Sequence, residues 1–424
     1  MSDSTQIVLS GGTVHGVGPA DVVIGDGVVA AVGPDLAAGA RDGAVVLDAT
    51  GCLVAPGLID LLTDTGGPGQ QERETPTAIR RAAAAGGYTS MLVTSTAAAP
   101  IDSPAAVAER REVDAGPLAG ALTVGHRNLE LAPMRMMVEA GISWFTDGGV
   151  VVPSADLLRH ALEYGTALGA RFALRADLVD LGAGGVMHEG VWSSRLGLPG
   201  RPEAAEVLGV QRLLALVELT GARVHVHTLS SPAAVQLVAQ ARRTGLAVTA
   251  DVGINHLLFS DEDCAGYDPC HRFEPPLRPA ADREALRQAV LDGLVDAVVA
   301  DHVPCTPQDK ELPFDQAPPG CIGLETTLAA LVDGCRMPLE RAVDLLGNGP
   351  ARVLGQQARA ITVGAPADLV VIDPTAQWEV PHDGGHSCSS NTALVGRSLR
   401  SRVRHTVNGG RITLDDTTVT EGAR

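Results

Sequence analysis

Eight short apolar runs, rich in β-branched residues, alternate with longer stretches of helical period between residues 53 and 301. This alternation is typical of repeated strand and helix units around a parallel sheet. Eight such units in about 250 residues predict a closed (β/α)8 TIM barrel, with an open doubly wound sheet as the alternative. The predicted strands are Leu53–Asp60, Tyr88–Ser95, Gly120–Val124, Ile142–Asp147, Ala170–Arg175, Arg223–Leu229, Ala247–Val252 and Val295–Asp301.

Helical stretches separate these runs, and several of them end at a glycine, as at Gly86, Gly169 and Gly221. In one stretch, Val207, Val210, Leu214 and Val217 fall at helical spacing and predict a buried face. The predicted helices include Thr77–Ala85, Ser154–Leu168, Ala204–Leu219, Ala281–Leu291 and Leu324–Val332.

The two ends of the chain have a different pattern, in which short apolar runs are punctuated by glycine turns. We expect residues 1-55 and 356-424 to form one composite β-sandwich domain beside a barrel at 56-355. The dipeptide Asn408-Gly409 predicts a hairpin near the C-terminus. The predicted strands of these ends are Ile7–Ser10, Asp21–Ile24, Val28–Val32, Val45–Asp48, Asp368–Asp373 and Arg402–Val407.

Composition excludes several functional classes. The 32 basic and 50 acidic side chains give a net charge of -18, which disfavours nucleic acid and anionic membranes as partners. No signal peptide and no run of 18 apolar residues stands out, so we expect a cytoplasmic location. The seven cysteines form no CxxC pair and predict reduced thiols. Only one basic residue is a lysine, Lys310.

In a barrel enzyme the active site lies at the C-terminal ends of the strands. The polar residues predicted there are Asp60, Asp64, Thr94, Thr96, Asp147, Arg175, Asp177, His225, His227, Thr228, Asp301 and His302. Because His225 and His227 are two apart on one strand, they share a face and are candidate metal ligands. The alternative is that one or both are buried histidines satisfied by hydrogen bonds.

Several ungapped blocks, spread over almost the whole chain, resemble the type I dihydroorotases of the amidohydrolase superfamily. They include Pro56-Gly57-Leu58-Ile59-Asp60, Gly185-Val186-Met187-His188, Pro275-Pro276-Leu277-Arg278, Ala300-Asp301-His302 and Ser390-Asn391-Thr392. The resemblance implies a barrel with a small β domain and a role in pyrimidine biosynthesis. It also implies chemistry in which metal-bound hydroxide attacks a cyclic amide.

At the positions where the resemblance implies metal ligands, this chain differs almost everywhere. The His-x-His after strand 1 is Leu62-Thr63-Asp64, and the strand 4 carboxylate or carboxylated lysine is Gly148, beside Asp147. The histidines of strands 5 and 6 correspond to Arg175 and Thr228. Of the implied ligands, only Asp301 on strand 8 is present, which makes it the one candidate catalytic residue.

The implied substrate positions differ too, because they hold Gly66, Thr96, Glu274 and Cys305 in place of an arginine, two asparagines and a histidine. We expect no metal cofactor and predict that Arg175 pairs with Asp301 or Asp64. The alternatives are a solvent-facing Arg175 paired with Asp177 and a single zinc ion at Asp64, Asp301 and a histidine, with Asp147 and Cys305 nearby. A Cys305 nucleophile is a further alternative.

Two functions follow from this pattern. The first is a non-catalytic structural or regulatory partner of aspartate carbamoyltransferase, a role that the resemblance implies. The second is an active amidohydrolase or cyclase with altered or metal-independent chemistry on a ureido or cyclic amide substrate. In either case the resemblance implies a homodimer or a larger assembly.

Overall fold

The computed structural model of the chain describes residues 5–67, 69–113, 116–416 and 418–420. Within these ranges, eight parallel strands form a sheet that runs in chain order from the first to the last. They are Leu58–Thr63, Tyr88–Thr94, Leu118–Ala121, Trp144–Thr146, Arg171–Leu174, Val224–Val226, Val248–Gly253 and Ala297–Val299, called barrel strands 1 to 8. The predicted barrel is therefore confirmed.

Hydrogen bonds across the seam bring barrel strand 1 beside barrel strand 8. The backbone N–H of Ala300 donates to Oδ1 of Asp60 over 2.8 Å, and the N–H of Asp64 donates to the carbonyl of His302 over 3.0 Å. Burial raises the pKa of Asp60 to about 6, although the hydrogen bonds from Thr63, Ala300 and Leu62 oppose that rise. Asp60 therefore helps to close the barrel by joining barrel strand 1 to the end of barrel strand 8.

The prediction of one strand over Leu53–Asp60 is wrong. Leu53–Pro56 pairs with a strand of the terminal β sheet, and the barrel strand starts separately at Leu58. Gly57 lies between them, where an added Cβ would be 2.3 Å from the Thr89 side chain. The third strand is also displaced, since it spans Leu118–Ala121 and is followed by a 3₁₀ turn at Val124–His126.

Helices separate the barrel strands, and none of the helices in the described residues is long and apolar enough to cross a membrane. The α-helices are Pro76–Ala85, Pro104–Val113, Met134–Glu139, Ala155–Ala167, Val191–Leu196, Glu203–Thr220, Pro232–Arg243, Ile254–Leu258, Ala280–Leu291, Pro307–Glu311, Thr327–Ala329, Leu339–Leu346 and Asn348–Val353. A π-helical turn at Ala330–Gly334 ends the segment predicted as the helix Leu324–Val332.

The helix Glu203–Thr220 places an acidic residue against the barrel. It ends at Gly221, whose φ of 66° is the left-handed conformation that glycine adopts at little cost. Val210, Leu213 and Val217 are buried, as is Glu206 one turn earlier, whereas Val207 and Leu214 are only half-buried. The predicted buried face is therefore confirmed at Val210 and Val217 and wrong at Val207 and Leu214.

Strands from both ends of the chain form the second domain. Within the described residues, one sheet has four strands (Ile7–Ser10, Asp21–Gly25, Val28–Gly33 and Val45–Asp48) and the other has seven. The second sheet contains Leu53–Pro56, Leu369–Glu379, Ser398–Asn408 and Arg411–Asp415 with the short strands Thr13–Val14, Gly18–Pro19 and Thr418–Val419. Side chains of the two sheets share one apolar core. The predicted hairpin is present, with Gly409 and Gly410 as its turn.

Candidate functional site

Arg175 lies between two cavities at the C-terminal ends of the barrel strands. The strand 1 cavity has a volume of about 290 Å³, and six of its lining residues are Leu62, Asp64, Arg73, Thr94, Thr96 and Asp301. The strand 6 cavity has a volume of about 300 Å³, and six of its lining residues are Asp177, Arg201, Glu206, His227, Thr228 and Arg278. Gly149, Arg175 and Glu274 line both.

Three hydrogen-bonded contacts hold Arg175 in this position. Its Nη2 is 3.4 Å from Oδ1 of Asp301, and its Nη1 donates to the backbone carbonyl of Glu274. Its backbone N–H donates to Oδ2 of Asp147 over 3.0 Å. The predicted pairing of Arg175 with Asp301 is therefore present, and the alternative pairing with Asp177 is wrong, since Asp177 pairs with Arg201 over 2.5 Å.

Asp301 is a buried carboxylate with incomplete compensation. Burial raises its pKa, and the nearby charge of Arg175 opposes that rise only in part. Its backbone φ is 47°, a left-handed conformation that is uncommon for a residue other than glycine. Asp64 also lines the strand 1 cavity, and burial raises its pKa too.

On the strand 6 side, two histidines share one carboxylate. Nε2 of His225 and Nδ1 of His227 lie 2.8 and 2.7 Å from the same oxygen, Oδ2 of Asp251. The other oxygen of Asp251 accepts the backbone N–H of Thr228 over 2.6 Å. Burial alone would raise the pKa of Asp251, but the histidines outweigh it and hold this pKa well below its usual range. Sequence reasoning missed Asp251.

This cluster is arranged for hydrogen bonding rather than for a metal ion. Within the described part of the chain, His225, His227 and Asp251 are the one group of three His, Cys, Asp or Glu residues whose possible ligand atoms all lie within 4.8 Å of one another. Zinc binds nitrogen at about 2.0–2.1 Å, so two of its tetrahedral ligands lie about 3.3 Å apart. The observed distances are shorter, and Nδ1 of His225 also meets Oγ1 of Thr249 at 2.8 Å. The alternative zinc site at Asp64, Asp301 and a histidine is not assembled.

Four residues of the predicted pocket line neither cavity: His225, which is described above, and Asp147, His302 and Cys305. Asp147 accepts the N–H groups of Gly149 and Arg175, so it shapes the loop after barrel strand 4. His302 is 3.4 Å from Glu74, a buried carboxylate that also accepts from Ser387. Burial raises the pKa of the Cys305 thiol, whose Sγ contacts the carbonyls of Val303 and Pro319. These contacts supply Cys305 with no base and do not favour its predicted role as a nucleophile.

Charged residues that sequence reasoning did not select complete the strand 6 cavity. Arg278 pairs with Glu206 over 3.0 Å and donates to Ser230, and both ions are almost fully buried. Arg201 pairs with Asp177 and with Glu274, the predicted pocket residue. Arg278 stands in the Pro275-Pro276-Leu277-Arg278 block, which was a signal that could have identified it. Arg201 and Glu206 lie outside the quoted blocks.

Comparison with known proteins supports this architecture and defines its class. The L-hydantoinase (dihydropyrimidinase) from Arthrobacter aurescens superposes with a TM-score of 0.87 at 23% identity, over 98% of this chain and 97% of that one. At this identity the likeness shows the fold alone. The chain therefore shares the fold of that protein, a parallel barrel with a terminal β domain.

Sequence comparison identifies the family. Residues 51–233 match the dihydro-orotase-like family model. The dihydroorotase of Pelotomaculum thermopropionicum is 38% identical over 97% of this chain and 99% of that protein, and the dihydroorotase of Mycobacterium tuberculosis has the same identity and coverage. The chain belongs to the dihydroorotase family.

The metal centre that this family implies does not fit the residues present. Leu62 offers no ligand atom, Gly148 offers no side chain, and Arg175 is a permanent cation that cannot ligate a metal. An added Cβ at Gly148 would lie 2.6 Å from both the His126 ring and the backbone oxygen of Ser95, so a carboxylate or a lysine there would require the neighbouring backbone to shift. Asp301, the implied ligand that remains, is paired with Arg175.

Proposed function

We propose that this chain is a non-catalytic member of the dihydroorotase family. In this proposal it acts in the cytoplasm, in pyrimidine biosynthesis, as a structural or regulatory partner of aspartate carbamoyltransferase. The observation that carries the proposal is the ion pair between Arg175 and Asp301 at the mouth of the barrel. The guanidinium occupies a ligand position and supplies the positive charge that a divalent ion would bring.

The surroundings of this pair also support a loss of the family's chemistry. A dicarboxylate substrate needs cationic groups, but the implied arginine position is Gly66 and the implied asparagine is Glu274. Arg73, a cation in the strand 1 cavity, is already paired with Asp309 over 3.2 Å. An anionic substrate would therefore have to displace an existing ion pair to bind there.

The partner role is tested by co-expressing the chain with the aspartate carbamoyltransferase of the same organism. We expect the two to co-purify, and we expect the carbamoyltransferase to lose activity or assembly when it is prepared alone. The control is the Asp301→Asn variant, which should assemble as well as the natural chain because no chemistry is required of Asp301. A carbamoyltransferase that is fully assembled and fully active alone would contradict the proposal.

The loss of catalysis is tested separately with dihydroorotate and carbamoyl aspartate as substrates. We expect no conversion in either direction above the rate without protein, with or without added zinc. The control is a dihydroorotase of the family that retains the His-x-His after strand 1, assayed under the same conditions. Metal-dependent turnover by this chain that Asp301→Asn abolishes would overturn this part of the proposal.

One observation favours the second function, an amidohydrolase or cyclase with metal-independent chemistry. Asp251 holds Nδ1 of His227 at 2.7 Å, and the opposite nitrogen of this ring, Nε2, has no partner. A carboxylate that orients an imidazole in this way is one means of making a general base. Turnover of a ureide or cyclic amide that is lost in His227→Gln and retained in Asp301→Asn would support this function.

A further inference from the structure

A third cavity lies between the barrel and the terminal β domain, and none of its lining residues belongs to the two cavities at the barrel mouth. We call it the Trp378 crevice. Glu325 and Leu328 line it from the barrel side, and Trp378, His386, Ser401 and Arg402 line it from the β domain. Its volume is about 50 Å³, and since one water molecule needs about 10–15 Å³, it holds roughly three to five atoms of that size.

The two long strands of the terminal domain pair around a bulge at Ser401. On one side of the bulge Asp373 lies opposite Arg402, and on the other side Gln377 lies opposite Arg400. Three residues of one strand therefore face the single residue Ser401 of the other. Its φ is 76°, a left-handed conformation that is uncommon for a residue other than glycine. Bulges of this kind reorient a side chain and are frequent next to functional sites.

The bulge places a hydroxyl group at the crevice. Ser401 is 1% exposed, and within the described part of the chain its Oγ has no hydrogen-bond partner. The carbonyl of the same residue accepts from Nε1 of Trp378 over 3.1 Å, which holds the indole ring against the bulge. Because a buried polar atom without a partner is costly, the Ser401 hydroxyl indicates a ligand in the crevice.

Arg402 is the middle one of three arginines that alternate along the strand, and it differs from the other two in having no carboxylate. Arg400 pairs with Asp333 over 3.1 Å, and Arg404 pairs with Asp416 over 2.8 Å. Among the residues that the structure describes, none forms an ion pair with Arg402. Its charge is therefore uncompensated, although it is only half-buried.

The carboxylates that line the crevice are already paired. Asp416 is bound to Arg404, as described above, and Glu325 lies 3.0 Å from Nδ1 of His386 and accepts its backbone N–H over 2.7 Å. The hydrogen bond to Glu325 raises the pKa of His386, so the imidazole is protonated more readily and offsets the charge of Glu325. The guanidinium of Arg402, which lies over the Trp378 ring at 5.7 Å from its centroid, is left as a positive charge in excess.

We infer that the Trp378 crevice binds a small oxyanion of the size of a phosphate group at the junction of the two domains. Arg402 supplies the positive charge and a planar set of N–H donors that suits phosphate oxygens. The hydroxyl of Ser401 and the ring of His386 supply further donors, and the crevice volume matches the few heavy atoms of such a group. This site is separate from the barrel mouth and rests on neither of the proposed functions.

Trp378 fluorescence tests the inference directly, because this ring is one of three indoles in the chain. Sodium phosphate is titrated into the purified full-length chain at pH 7, with sodium chloride added to keep the ionic strength constant. We expect a saturable change in tryptophan fluorescence at millimolar phosphate, which is absent in Trp378→Phe. A change that does not saturate, or one that persists in Trp378→Phe, would overturn the inference.

Methyl phosphate distinguishes the two sources of such a group. Binding equal to that of inorganic phosphate would mean that the crevice accepts the phosphate group of an ester, and weaker binding would restrict it to the free ion. Both results support an oxyanion site. Tighter binding of methylammonium chloride than of either phosphate would contradict it, because the crevice would then select cations.

Matched variants on one strand locate the site. Arg402→Gln removes the uncompensated guanidinium, and loss of hydrogen bonds to a charged group predicts at least tenfold weaker binding of phosphate. Arg400→Gln is the control, since Arg400 is paired with Asp333 and does not line the crevice. It should bind phosphate within about twofold of the natural chain. An equal loss in both variants would show a general effect of charge and would contradict a site at Arg402.

Ser401→Ala keeps the inference testable if Arg402→Gln does not fold. It removes only the hydroxyl, and alanine tolerates the left-handed backbone about as well as serine does. Loss of one hydrogen bond predicts 2- to 12-fold weaker binding of phosphate. Unchanged binding in Ser401→Ala would show that the ligand does not reach the crevice.

Discussion

Asp301 and Asp251 are both buried carboxylates in the C-terminal halves of barrel strands or directly after them, but they are compensated differently. Asp301 is paired with a single guanidinium at 3.4 Å, and burial leaves its pKa above the usual value. Asp251 accepts from two imidazoles and one backbone N–H, and its pKa is held well below the usual value.

The difference lies in what compensates each buried charge. Hydrogen-bond donors on barrel strand 6 and directly after it satisfy Asp251, so this carboxylate needs no added group. Asp301 depends on Arg175, a long side chain that reaches across the mouth from another strand. In the proposed function, the strand 1 side is therefore the place where an ion pair stands in for the metal ion.

The largest expected effect is that of Asp251→Asn. This change leaves two buried imidazole N–H groups facing an amide, and removal of one partner from a buried charged network costs about 3–5 kcal/mol. Asp301→Asn, the matched change on the other side, should cost at least 1 kcal/mol less because it removes a poorly compensated charge. Urea unfolding at pH 7 measures both, and a larger loss for Asp301→Asn would refute the comparison.

Arg175→Met is expected to lower the free energy of unfolding by about 3 kcal/mol, since it leaves Asp301 buried without its cation. In the double variant Arg175→Met with Asp301→Asn, at least half of this loss should be recovered. Arg159→Met is the control, because the ion pair of Arg159 with Glu163 is exposed and contributes little to the free energy of unfolding. If the double variant recovers none of the lost free energy of unfolding, the contribution of Arg175 to stability does not come from its ion pair with Asp301.

The two carboxylates should also give pH dependences of opposite sign. The folded pKa of Asp301 is raised, so the natural chain should lose stability relative to Asp301→Asn as pH rises above 3.8. The folded pKa of Asp251 is lowered, so its contribution is complete above 3.8 and is lost as pH falls below that value. The free energies of unfolding of the natural chain, Asp301→Asn and Asp251→Asn are measured from pH 3 to pH 7, with sodium sulfate added to all samples. The difference between the natural chain and each variant, plotted against pH, gives the slope for that carboxylate. Slopes of the same sign would contradict the assignment.

The smallest effect concerns the thiols. Cys388 is exposed, whereas Cys305 is 2% exposed and its pKa is raised by burial. At neutral pH we expect Cys388 to react first with Ellman's reagent and Cys305 to react only after unfolding. Cys388→Ser should remove the fast phase, and a fast phase that disappears in Cys305→Ser instead would restore the nucleophile hypothesis.

Much of the fold was predictable from local pattern. The eight β-branched runs and the glycines that end the helices led to the barrel, and the Asn408-Gly409 dipeptide led to the hairpin. The start of barrel strand 1 was missed, although Pro56-Gly57 interrupts the apolar run over residues 53–60 and is a dipeptide that marks a break. The pairing of Leu53–Pro56 with the terminal sheet and the close approach of Thr89 to Gly57 show where the chain passes from the β domain into the barrel.

The candidate site was predictable in part. The pairing of Arg175 with Asp301 followed from aligning both with family ligand positions. Asp251 was missed because a lone acidic residue near the end of an apolar strand gives no pattern that distinguishes a hydrogen-bond acceptor from a solvent-facing side chain. The division of the mouth into two cavities depends on the position of the Arg175 side chain, which no sequence pattern specifies.

The central claim is that Arg175 takes the place of a metal ion at this barrel mouth. It is tested most directly by measuring zinc and other divalent metals in the purified natural chain, after dialysis against micromolar zinc, by inductively coupled plasma mass spectrometry. The account predicts far less than one ion per chain, and no further decrease in Asp301→Asn. One ion per chain that is lost in Asp301→Asn would contradict it.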